Sequence, residues 1–161
     1  MAVRYFGDHA IICNLSSTDK FDAIHELISR TQACNAVGNL ENFEHAVVSR
    51  EREYTTGIGH GVAVAHGKSM CVSKLFLTLG ISKKGISFQS YDEEPVKFLF
   101  LVGTPPGQHA EYLFALSLLI RVVRSDEFRR MMYGCDDPDI IADKLNEAME
   151  AGLKRRGLSV R

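Results

Sequence analysis

The seven residues Val96-Lys97-Phe98-Leu99-Phe100-Leu101-Val102 are apolar at every position except Lys97. A short run of this kind, rich in β-branched and aromatic side chains, is the pattern of a central strand buried on both faces. Burial on both faces requires cover on both sides, so a sheet with a single packed face is excluded as the architecture. Gly103-Thr104-Pro105-Pro106-Gly107 is predicted to stop the strand.

The cover is readable as helices. Ser16-Ser17-Thr18-Asp19 is a helix start, and Phe21, Ile24, Leu27 and Ile28 then recur at helical spacing to about Thr31. A second helix is predicted from Glu41 to about Glu53, with Phe43, Ala46 and Val47 on one face. His109 to Val123 carries an apolar face through Leu113, Leu116, Leu119, Ile120 and Val123. Ser125-Asp126-Glu127 caps a short helix through Met132. Asp136-Asp137-Pro138-Asp139 opens a last helix to about Leu153, with Ile140, Ile141, Leu145 and Met149 facing inward.

Between the helices, Val72 to Ile81 is a strand candidate and Ile86 to Phe88 a short extended piece. Val3 to Asn14 reads as a short strand or an extended arm. The order is two helices, several strands, then three helices. It predicts a layered α/β or α+β domain, a sheet covered by helices, and residues 1–161 fit one such domain.

Composition narrows the function. Net charge is −1, and no basic stripe interleaved with aromatics is present, so nucleic acid is not an expected partner. No run approaches the ~20 apolar residues of a membrane span and no signal peptide is read, so a cytoplasmic protein without membrane insertion is expected. Cys13, Cys34, Cys71 and Cys135 form no C-x-x-C pair and are expected to be reduced thiols, with Cys71 on a buried strand.

The chemistry concentrates in Thr55-Thr56-Gly57-Ile58-Gly59-His60-Gly61-Val62-Ala63-Val64-Ala65-His66-Gly67-Lys68. It reads as a glycine-rich loop feeding a short strand whose far end carries His66. The glycines lack the G-x-G-x-x-G spacing and precede a strand rather than a helix, which argues against a dinucleotide cofactor. The Gly-Lys-Ser/Thr ending of a P-loop is also absent at the required distance. His60 and His66 have no third ligand at useful spacing, so no metal is expected. A histidine that carries phosphate needs an unprotonated ring nitrogen, a held tautomer, positive charge near the phosphoryl oxygens and an open approach. Arg50 could supply the charge, since a guanidinium forks onto two phosphate oxygens, and Gly67 the open approach. On residue chemistry alone, a structural histidine in a glycine-rich turn is the commoner case.

Arg50-Glu51, Thr55-Thr56-Gly57-Ile58-Gly59 and Gly61-Val62-Ala63-Val64-Ala65-His66-Gly67-Lys68 together resemble the phosphorylation-site signature of enzyme IIA domains of the bacterial phosphotransferase system. The resemblance is to the fructose/mannitol type, and within it to the stand-alone nitrogen-regulatory subgroup. It continues through Ile86-Ser87-Phe88, Asp92 and Pro95 to Phe100, and through Leu113 with Leu116-Ser117-Leu118. It covers about Leu15 to Met149.

The resemblance implies a mixed β-sheet flanked by helices and phosphorylation of His66 by a histidine-phosphocarrier protein, with Arg50 at the site and no cofactor. In the nitrogen-regulatory subgroup the phosphorylation state sets binding to regulatory targets. In sugar-transporting members the phosphoryl group passes to a IIB protein. No permease or IIB segment is read in this chain, which favours the regulatory expectation. A binding module that keeps the fold but transfers nothing is the alternative from a different class.

Two positions depart from the pattern. Ala65 stands where the family usually has proline, which is expected to loosen the approach to His66. Tyr112 stands where the family commonly has a second histidine. Its hydroxyl can donate to a phosphoryl oxygen but gives no cation near neutral pH. His109, one helical turn before Tyr112, and His60 are the other supporting candidates, although each alone also reads as a surface residue.

Overall fold

The computed structural model describes residues 4–31, 35–155 and Gly157. Cys34 and Arg156 lie outside these residues. The apolar run forms β5, Val96–Thr104, the middle strand of a five-stranded sheet. The other strands are β1 (Ile11–Ile12), β2 (Gly57–Gly59), β3 (Val62–Lys68) and β4 (Phe76–Ile86), in the order β1-β4-β5-β3-β2. β5 runs parallel to β3 and antiparallel to β4, so the sheet is mixed. The helices are α1 (Lys20–Arg30), α2 (Leu40–Glu53), α3 (His109–Val123), α4 (Asp126–Gly134) and α5 (Pro138–Arg155).

Alternation along each strand divides the interior into two cores. Ala63, Ala65, Leu99 and Leu101 pack with α1 and α2 through Ile24, Leu27, Phe43 and Val47. Val62, Val64, Phe98, Phe100 and Val102 face the opposite way, against α3, α4 and α5 through Leu118, Leu119, Met132, Ile141 and Leu145. The helix starts rest on the expected side chains. Asp19 accepts from the amides of Phe21 and Asp22 at 3.0 and 3.2 Å, and Ser125 from that of Phe128 at 3.1 Å.

Several boundaries differ from the sequence expectation. Gly57–Gly59 is not loop but edge strand β2, paired antiparallel with β3. His60 and Gly61 make the two-residue turn with φ of 57° and 75°, the type I′ pattern that fits strand twist. Gly103 does not stop β5, because it lies within the strand, and a Cβ there would come within 2.1 Å of the Phe76 ring. The strand predicted at Val72–Ile81 instead spans Phe76–Ile86 and absorbs Ile86. Cys71 sits in the loop after β3, half-buried, with its amide donating to Ser69 Oγ at 3.1 Å, and not on a strand. Leu113 and Ile140 face solvent, at 49% and 47% exposure. The buried stripe of α3 is Tyr112, Ala115, Leu118, Leu119 and Val123, because Tyr112 rather than its neighbour turns toward the sheet.

Candidate functional site

His66 is the fifth residue of β3, paired in register with Val102 of β5. Alternation places it on the face that carries α3, in line with Val62 and Val64. The first turn of α3 brings Tyr112 over it, with ring centroids 5.3 Å apart and planes tilted by 38°. His109 follows, its ring 6.0 Å from that of Tyr112. The three rings form a ladder from the half-buried His66 to the exposed His109.

The His66 ring is held at one nitrogen. Nδ1–H donates to the Val64 carbonyl at 3.4 Å, which leaves the lone pair on Nε2. Burial pushes the imidazole pKa below its usual value. The Val64 hydrogen bond opposes that shift, the Arg50 charge adds to it, and Glu51 opposes it. The result is a neutral imidazole at pH 7 with a free nitrogen.

Arg50 lies in the last turn of α2, the helix that covers the other face of the sheet. β2 pairs with β3 only as far as Gly57–Ala63, with the Val64 amide donating to Thr56 O at 3.1 Å. Beyond that point the chain returns from α2, and Arg50 Nη1 donates to Tyr54 O at 3.0 Å. Its charge acts on both His66 and Tyr112. Burial raises the Tyr112 pKa and Arg50 lowers it, with burial the larger effect. Tyr112 is 8% exposed, with its ring against those of His66 and His109.

Two supporting candidates stand elsewhere. His60 is in the β2–β3 turn at the other end of β3, beside Ile120, Val123 and Arg124 at the far end of α3. Val62 and His66 are four positions apart along β3, about 13 Å. The His60 amide donates to Asp92 Oδ2 at 3.1 Å. Gly67 faces away from the His66 side, toward α2, where a Cβ would lie 2.7 Å from Val47 Cγ2 and 3.2 Å from Phe43 Cε1. Its missing side chain lets α2 pack on β3, rather than opening a path to His66.

The sequence reading missed the residues that order the Arg50 segment. Glu51 is 2% exposed and accepts from Lys20 Nζ at 3.1 Å, from the Thr56 amide at 3.0 Å and from the Thr56 hydroxyl. A buried ion pair thus ties the start of α1, the end of α2 and the entry to β2 together. The only signal was Glu51 beside Arg50 in the motif, and a charged residue there reads as exposed. Among the described residues no group of three or more His, Cys, Asp or Glu side chains is placed to hold a metal, and no helix is long and apolar enough to cross a membrane.

A mixed sheet covered by helices on both faces, with a half-buried histidine near the end of one strand and an arginine charge acting on it, is the arrangement of a layered α/β domain with one candidate site at His66. The chain belongs to the EIIA 2 family of the phosphoenolpyruvate-dependent sugar phosphotransferase system, whose model matches residues 4–148. It is 28% identical over 139 residues to the fructose-specific EIIABC component of Bacillus subtilis, covering 86% of this chain but only 22% of that protein. It is 30% identical over 132 residues to the nitrogen regulatory protein of Bradyrhizobium diazoefficiens, covering 82% of this chain and 86% of that one. Among solved structures, the nitrogen regulatory protein IIA-Ntr of Neisseria meningitidis superposes with a TM-score of 0.77 at 19% identity, over 88% of this chain and 93% of that one. Enzyme IIA of the mannitol system of Escherichia coli, solved in complex with phosphorylated enzyme IIB, superposes with a TM-score of 0.72 at 15% identity, over 88% and 96%. At such identities these structures establish the fold.

Proposed function

We propose that this protein accepts a phosphoryl group on Nε2 of His66 from a phosphorylated histidine-phosphocarrier protein and signals to regulatory targets by its phosphorylation state. The observation that carries this is the Nδ1–H to Val64 carbonyl bond, which leaves Nε2 as the nucleophile on a neutral ring. Nε2 attacks the phosphorus, and the N–P bond to the donor breaks as the new one forms. The His66 proton stays on Nδ1. The donor imidazole, protonated on its other nitrogen while it carries phosphate, leaves neutral, so no proton changes hands. Arg50 and the Tyr112 hydroxyl stabilise charge on the transferring oxygens. His109 lies one ring further out.

The regulatory reading draws support from the nitrogen regulatory relative, matched along 86% of its length. A second reading, in which phospho-His66 hands its group to a IIB protein, draws support from the fructose-specific relative and from the mannitol IIA fold solved with its IIB partner. Incubation with phosphorylated carrier protein tests both. Acid-labile, base-stable labelling that disappears in His66→Ala is expected. No labelling of the parent chain, or undiminished labelling of that variant, sinks both readings, and the first outcome leaves a binding module with this fold.

A further inference from the structure

At the sheet end remote from His66, the irregular stretch of β4 carries exposed lysines. The β4–β5 register shifts between Ile81 and Ile86, and Ser82 Oγ accepts from the Gly85 amide at 3.0 Å. Gly85 has φ of 86°, and a Cβ there would come 2.9 Å from Pro95 Cβ, so the bulge is fixed against the loop before β5. Bulges re-aim the side chains they carry. Here the bulge sends Lys83 over the ring of Tyr133 on α4, with Nζ 3.9 Å from the centroid. Lys97, from the start of β5, places its Nζ 5.0 Å from the same centroid. The Tyr133 ring packs edge-on against Phe98 at 6.3 Å, and its hydroxyl donates to the Lys83 carbonyl at 3.4 Å.

Two ammonium groups therefore share one anchored aromatic platform. Neither has a carboxylate at ion-pair distance among the described residues. Lys97 borders a groove of about 420 Å³ lined also by Phe98, Asp126, Arg129, Arg130, Tyr133 and Gly134, and Lys83 lies against the Tyr133 ring that forms part of its wall. Two of the acids nearby are engaged. Asp126 pairs with Arg129, and Asp137 accepts from the amides of Asp139 and Ile140 at the start of α5. Arg130 has no ion-pair partner among the described residues. The ring attracts each ammonium by its quadrupole and so holds two like charges against one side chain, which fixes them in advance for an anion. Summed positive potential in a groove selects multivalent anions over monovalent ones.

We infer that this groove is a second anion site, separate from His66, which takes a small multivalent anion of the phosphate class between Lys83, Lys97 and Arg130. Phe98 pairs with Val62, four residues before His66 on β3, so the two sites lie at opposite ends of the sheet. Inorganic pyrophosphate, titrated into the full chain and followed by amide and Tyr133 ring resonances, is the probe. Saturable shifts at Lys83 to Gly85 and at Tyr133 are expected. Lys83→Gln with Lys97→Gln, which keeps both stems on the ring, is expected to weaken binding at least tenfold while leaving phosphoryl acceptance at His66 unchanged. Binding is expected to persist in Arg50→Ala and His66→Ala, which separates this site from the phosphoryl-carrier reading. Linear shifts without saturation, equal shifts from acetate at matched ionic strength, undiminished binding by the double variant, or loss of binding in Arg50→Ala would overturn the inference.

Discussion

Val64 holds one His66 nitrogen and leaves the other free, and burial, with the Arg50 charge added, lowers the pKa of the ring. The pH dependence follows. The folded-state pKa is depressed, so phosphoryl acceptance is expected to be flat above that value and to decline as protonation closes Nε2 below it. The same shift has a stability consequence, because the unfolded chain, with an ordinary value of about 6.5, takes the proton more readily. The stability tied to the neutral ring is therefore full above that unfolded value and is lost as pH falls through the folded one. Ring-proton titration by NMR is expected to give a His66 midpoint below the ordinary histidine value, moved upward in Arg50→Ala. A midpoint unmoved by that substitution contradicts the electrostatic role given to Arg50. Tyr112 allows a cleaner substitution. Tyr112→Phe keeps the ring over His66 and removes only the hydroxyl, so a fall in transfer rate of about tenfold is expected, the scale of one hydrogen bond. Tyr112→His is expected to add a second titration to the rate profile. Transfer by Tyr112→Phe at the parent rate would leave the hydroxyl with no part in the chemistry.

Helix α2 is held to the sheet from two directions, and each has a measurable cost. At Gly67 the helix approaches so closely that an added methyl meets Val47 and Phe43. Gly67→Ala is expected to destabilise by about 1–3 kcal/mol in chemical denaturation through overpacking. Val47→Ala in the same chain should return part of that loss, since the two sites share one contact. A Gly67→Ala protein with parent stability would contradict the packing. At the end of α2, Glu51 and Lys20 are an ion pair with side-chain exposures of 0% and 7%. Glu51→Ala strands a buried ammonium and is expected to cost about 3–5 kcal/mol. Replacing both by apolar residues should cost less, and equal losses would argue against a coupled pair.

Over the whole molecule, what could be read from the sequence was what local physics writes. The β5 run required cover on both faces, the Asp19 and Ser125 caps marked helix starts, and the spacing of Phe43 and Val47 marked a buried face. The errors came where tertiary contact decides. β2 is three residues with two glycines and shows no apolar alternation, so only its pairing with β3 makes it a strand. Gly67 and Gly103 read as openings and stops, yet each is small because a helix or a ring lies against it. The site was partly legible. The rings of His66, Tyr112 and His109 stand in a row and the Arg50 charge acts on His66 and Tyr112, whereas His60 lies at the other end of β3. The buried Lys20–Glu51 pair could not have been read, since charged residues default to the surface. The central claim concerns one atom. Phosphorylated protein carrying ¹⁵N-labelled histidine should show phosphorus–nitrogen coupling at Nε2 of His66. Phosphorus on Nδ1, or on any other residue of the chain, would contradict it.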